Sequence, residues 1–193
     1  MNKRIAVVAA AAASVLMVAG CSSSSDGKKG DKPGEKPGSA ADRQAQEYRD
    51  AAKKDRAKML EVAVTFQKAD GLHDAETACR LMTDAGRHGS DGSMESCVKF
   101  YTPLKPDVRA SEEKSSYSVT GDPVEVGPIG DHQAGTGVMV TRQYLYEGRT
   151  KYYRTALRMV KVRGAWLVDQ EEEIYDSEMK HSSPVSSALM RSH

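Results

Sequence analysis

The hydrophobic period of this 193-residue chain changes once, near Ser115. Upstream, Tyr48, Ala52, Met59, Val62, Phe66 and Ala69 recur at spacings dominated by three and four residues. They form one stripe on a helix over residues 45–69, broken only by Asp55. Downstream the period is two. Residues 116–120, 123–129, 136–147, 150–162 and 165–174 read as strands, and Gly130-Asp131-His132, Gly148-Arg149 and Arg163-Gly164 supply the turns. A helical pattern will not sit still as a strand, nor the reverse. The chain is therefore expected to place helices first and antiparallel strands after them, an α+β layout.

The helical half divides further. The long helix should stop at Gly71. A coiled-coil use of its stripe has too few heptads and a charge in the seam, so packing on a sheet is the better reading. Asp74 can cap a short helix over residues 75–83. Ser93 can cap another over residues 94–101, which Pro103 ends. Cys79 and Cys97 then lie on the inner faces of these two short helices.

The N-terminus carries a different signal. Asn2-Lys3-Arg4 is basic, and residues 5–19 are small and apolar apart from Ser14. That run is short for a membrane span and has the length of a secretory signal. It ends in Val18-Ala19-Gly20-Cys21, which resembles a bacterial lipobox. The resemblance implies a signal peptide over residues 1–20, diacylglyceryl and palmitate-type acylation at Cys21, and anchorage on the outer face of the bacterial membrane. Two acyl chains hold stably where one does not. Residues 22–41 are rich in Ser, Gly, Pro and Lys and cannot bury enough apolar surface to order themselves. They read as a tether whose ends lie about 25 Å apart as a coil. One domain over residues 42–176 follows, and residues 177–193 read as a disordered tail.

With Cys21 acylated, two of the three cysteines remain. Outside the membrane an even pair reads as a disulfide, Cys79 to Cys97. Two free thiols or a metal site with His73 and His88 are the alternatives, and the spacing matches no compact zinc pattern. No metal or other cofactor is expected. A net charge of +1 gives no electrostatic footprint for nucleic acid.

The order of elements, together with the late hairpin Gly164-Ala165-Trp166-Leu167-Val168, resembles the nuclear transport factor 2-like fold over about residues 43–175. That superfamily includes ketosteroid isomerase and SnoaL-like domains. The resemblance implies a cone-shaped pocket between the first helix and the concave face of the sheet. It implies no activity, since the fold hosts both enzymes and binding modules.

No nucleophile elbow, zinc-protease helix or phosphate loop occurs. His73, His88, His132, His181 and His193 all fall in loops or the tail and read as surface residues. Asp131-His132 is an acid/base pair only on paper, because it sits in a turn. Glu171-Glu172-Glu173 reads as a charged edge that discourages aggregation. No catalytic residue is assigned.

One polar row stands out. If Gly148-Arg149 is a two-residue turn, Tyr144 faces Tyr153 and Arg142 faces Thr155. If Arg163-Gly164 is another, Thr155 faces Glu172. Arg142, Tyr144, Tyr153, Thr155 and Glu172 would then form the polar end of the pocket. The chain reads as a membrane-anchored module that binds a small apolar ligand or an extracytoplasmic protein. The alternative is a SnoaL-like isomerase or hydrolase acting on a small apolar substrate.

Overall fold

The computed structural model describes residues 39–87, 91–102 and 114–191. The signal segment, Cys21 and the tether to Gly38 lie outside them, as do His88, Pro103 and His193. Helix α1 spans Ala40–Gly71. It begins ahead of the apolar stripe because Ser39 and Asp42 close a capping box, each satisfying the other's backbone N–H. Only its second half is covered. Met59, Ala63, Phe66 and Ala69 are buried, while Tyr48 is 70% exposed. Asp55, the break in the stripe, accepts hydrogen bonds from Lys161 Nζ at 2.6 Å and Trp166 Nε1 at 3.3 Å. Gly71 ends the helix inside the core, where a Cβ would overlap the Tyr117 hydroxyl.

Helix α2 spans Ala75–Arg80 and is capped by Asp74 as expected. It is shorter than the sequence suggests. Its last predicted turn instead leaves the helix and bridges to Val168, whose N–H donates to the Leu81 carbonyl at 2.8 Å, while the Thr83 N–H donates to the Val168 carbonyl at 2.9 Å. Helix α3 spans Met94–Tyr101 behind its Ser93 cap. The two short helices are joined by the Cys79–Cys97 disulfide, with both cysteines buried and their Cα atoms 5.9 Å apart. Reducing it should lower stability by about 3 kcal/mol through loop-closure entropy. Calorimetry of reduced, alkylated protein should accordingly show Tm lower by about 10 °C. An unchanged Tm would refute that role.

The sheet is antiparallel and curved. Strand β1 (Ser116–Val119) and β2 (Val124–Val126) lie end to end along one edge of β3 (Gly135–Tyr146). On its other side β3 pairs with β4 (Arg149–Val162), and β4 with β5 (Ala165–Glu173). Pro123 and Gly121, with φ of +75°, occupy the break between β1 and β2, where no ladder N–H is needed. The layout is thus the expected α+β one, three helices against one face of the sheet. That inner face carries Val138, Val140, Leu157, Met159 and Val168 against Met59, Ala63, Phe66, Met82 and Tyr101.

Two registers differ from expectation. The β3–β4 turn is Glu147-Gly148, not Gly148-Arg149; both residues have positive φ, 49° and 72°, as a two-residue hairpin turn demands. Arg142 therefore faces Tyr153, Tyr144 faces Lys151 and Val140 faces Thr155. The slip is two residues, so every side chain keeps its assigned face. The β4–β5 turn at Arg163-Gly164 and the Met159–Val168 pair hold. A bulge then follows between Arg158 and Met159, with Asp169 as the extra residue on β5.

The tail is the largest correction. Residues 177–191 are not disordered: a single 3₁₀ turn at Glu178–Lys180 leads into helix α4, Pro184–Leu189. Val185, Ala188 and Leu189 pack on Val126, Met139, Ala156 and Ile174 of the outer face. A six-residue helix is too short to display a period, although Pro184 at its first turn marks a helix start. Arg158 fastens it. Its side chain is fully buried, donating from Nε to Gln170 Oε1 at 3.0 Å, from Nη1 to the carbonyls of Gly127 and Gln133, and from Nη2 to the Leu189 carbonyl at 3.2 Å. Arg191 adds a second clasp, pairing with both carboxylate oxygens of Glu178 and stacking over the Tyr175 ring.

Candidate functional site

The helix-covered face is apolar except at one end, where α1, α3, β4 and β5 bring polar side chains together. The bulge at Asp169 decides which acid arrives there. Past it, Glu171 faces Leu157 and Glu173 faces Thr155, so both lie on the inner face, while Glu172 faces Ala156 on the outer one. The Arg142–Thr155–Glu172 row is therefore broken, and Glu172 is no part of the inner site. It lies 3.8 Å from Arg191 instead. Arg142, Tyr144, Tyr153 and Thr155 do share the inner face, as expected. Arg142 sits over the Tyr144 ring at 5.0 Å and donates to Ser115 Oγ at 3.1 Å.

Glu171 is the centre of the cluster. Gln67 Nε2 donates to its Oε1 at 2.5 Å and the Tyr101 hydroxyl to its Oε2 at 3.3 Å. Gln67 is itself buried, and its Oε1 accepts from Thr155 Oγ1 at 2.9 Å. Thr155 thus keeps a place in the site, as the residue that orients Gln67. Burial pushes the Glu171 carboxyl up to about 8, with the nearby Asp70 charge adding to it and the Gln67 and Tyr101 hydrogen bonds opposing. Burial likewise raises the Tyr101 phenol, helped by Glu171 and Asp70. Tyr153, 39% exposed, is pushed to about 12 by burial first and by Glu173, Glu171 and Asp70 next. The polar end is thus acidic, lined by phenols, and open to solvent along Tyr153. Near neutral pH Glu171 is thus mostly protonated, able to donate a hydrogen bond, and it gives up its proton as pH rises through about 8.

A second cluster lies on the opposite rim. Asp169, the extra residue of the bulge, accepts from Thr83 Oγ1 at 2.6 Å and from the Gln133 N–H at 3.2 Å; its Oδ2 lies 3.4 Å from His132 Nδ1. His132 is thus part-buried beside Asp169, not a surface residue and not paired with Asp131. It borders a cavity of about 430 Å³ with Gln170, Glu172 and Arg191. His181 shares a hydrogen bond with Ser187 Oγ in the tail.

Three helices thus cover one face of a curved antiparallel sheet, with a polar cluster at one end of that face. No protein-family model matches the chain, and no curated protein matches its sequence. Among solved structures the chain is similar to a nuclear transport factor 2-like protein of cystatin-like fold from Novosphingobium aromaticivorans. Identity is 12% and the TM-score 0.49, over 80% of this chain and 100% of that one. It is also similar to the association domain of C. elegans CaMKII, at 16% identity and a TM-score of 0.42 over 64% of this chain and 98% of that one. A Mycobacterium tuberculosis protein of unknown function gives 11% and 0.38, over 76% and 87%. At these values the similarity concerns chain path alone.

Proposed function

We propose that this chain is a lipid-anchored extracytoplasmic module that holds a small, largely apolar molecule on the inner face of its sheet. The observation that carries the reading is Glu171, a part-buried carboxyl set among apolar side chains and held by Gln67 and Tyr101. A lone polar contact in an apolar setting fixes the orientation of a ligand more than it adds affinity. Arg142, Tyr144 and Tyr153 border the same face and would frame the ligand's exposed end.

The test is native mass spectrometry of the protein taken from its own membranes in mild detergent. A retained small molecule, released from Glu171→Leu but not from His181→Ala, is the expected result. A wild-type protein that carries nothing under those conditions, and gains nothing from a host lipid extract, would refute it.

The near-neutral titration of Glu171 favours one second reading, a proton-transferring isomerase or hydrolase. The two part on a single measurement. A binding module returns its released ligand unchanged after prolonged incubation with fresh protein; an enzyme converts it, and Glu171→Gln stops the conversion.

The anchor rests on residues 1–41 and has its own test. Cys21→Ser should abolish incorporation of labelled fatty acid and shift the protein from the membrane fraction, or leave it uncleaved. Wild-type protein that takes up no labelled fatty acid would sink the anchor.

A further inference from the structure

We propose that the free end of the β3–β4 hairpin is a membrane-contact element that seats among the headgroups of an anionic bilayer; the proposal rests on the lipid-anchored reading above. Past Gln143, β3 has left its neighbour β1, and β5 ends opposite Thr155. Among the described residues, what remains is a two-stranded ribbon closed by Glu147-Gly148. Its turn lies about 20 Å beyond the buried pair Val140–Thr155, at the usual rise per strand residue.

Such a ribbon is marginal in water, and this one exposes large apolar groups. Leu145, Tyr146 and Tyr152 are each more than half exposed. The pairing puts Leu145 and Tyr152 on one face and Tyr146 on the other. A protein partner would cover one face of a ribbon. An interfacial layer receives both at once, and tyrosine, apolar in body and polar at its tip, suits that boundary.

The charge agrees. Arg149 and Lys151 are exposed beside these groups and make no ion pair among the described residues, and Glu147 is the sole acid between Arg142 and Arg154. Each such cation strengthens attraction to an anionic surface about fivefold. The tether from Cys21 keeps the domain within about 60 Å of the bilayer even when fully stretched.

With Cys79 and Cys97 bridged and Cys21 acylated, Leu145→Cys supplies one free thiol for an environment-sensitive fluorophore. The lipidated protein is reconstituted in vesicles of phosphatidylcholine alone or with phosphatidylglycerol. In the anionic vesicles the label should shift to the blue and resist dithionite about fivefold longer. Protection should vanish with Arg149→Gln plus Lys151→Gln, or in about 0.5 M salt. A protein retained on both kinds of vesicle with its label equally open in both overturns the hairpin contact while sparing the anchor. A protein retained on neither overturns the anchor and this proposal together.

Discussion

Alanine in place of Arg158 should lower stability by about 3–5 kcal/mol, through the lost donors and the cavity left in a fully packed site. The side chain is fully buried between the sheet and α4. Its removal leaves the carbonyls of Gly127, Gln133 and Leu189 without their donors, and a cavity beside Gln170. The buried Leu189 carbonyl left unpaired costs about 1–3 kcal/mol, while Gly127 and Gln133 lie on exposed residues and lose less. Methionine at the same position refills most of the volume but returns none of the donors, so Arg158→Met should recover only part of the loss. Urea unfolding of the three proteins checks the order. Amide exchange in residues 184–189 should accelerate first, because Arg158 reaches the last carbonyl of that helix. Unfolding of Arg158→Ala within about 1 kcal/mol of wild type would show that the tail is held by Arg191 and apolar packing instead.

Arg158 also marks where sequence reasoning stopped. Alternation along β4 puts it on the face opposite Leu157 and Met159, where a charge would ordinarily meet water. What buries it is a helix of six residues, too short to show a period, folded from a tail that looked structureless. The elements with enough residues to display a pattern were legible: α1, the five strands, the capping residues Asp74 and Ser93, and the cysteine pair. The β3–β4 register slipped by two because either dipeptide around Gly148 looks like a turn. The faces survived that error because side chains alternate with period two. The bulge did not leave such protection. One extra residue at Asp169 exchanged Glu172 for Glu171 on the inner face. Asp169 gives no local warning in the sequence, since its partners Thr83 and Gln133 are far along the chain. Gln67 was overlooked because the stripe was traced through apolar residues only, although it follows Met59 and Ala63 on the buried seam.

The pH dependence of stability should show the exchange directly. A carboxyl raised from 4.5 to about 8 in the folded chain binds its proton more tightly there than in the unfolded chain. Below about pH 4.5 both states carry the proton and the fold has the full benefit. Between about pH 4.5 and 8 the unfolded chain releases its proton and the folded one does not, so stability falls as pH rises. Above about pH 8 both are ionised and the loss is complete, on the order of 5 kcal/mol. Glu171→Gln removes that slope. Its amide oxygen can accept from Gln67, and its amide nitrogen can donate to Tyr101 once that hydroxyl turns to accept, so the variant should match wild type near pH 4.5 and exceed it near pH 9. Glu172→Gln, whose side chain is on the outer face, should leave the slope in place. Urea titrations of the three proteins across that range decide the matter. Parallel pH curves for wild type and Glu171→Gln would mean that Glu171 is ionised throughout. The polar end of the inner face would then be a fixed anionic surface with no proton to exchange.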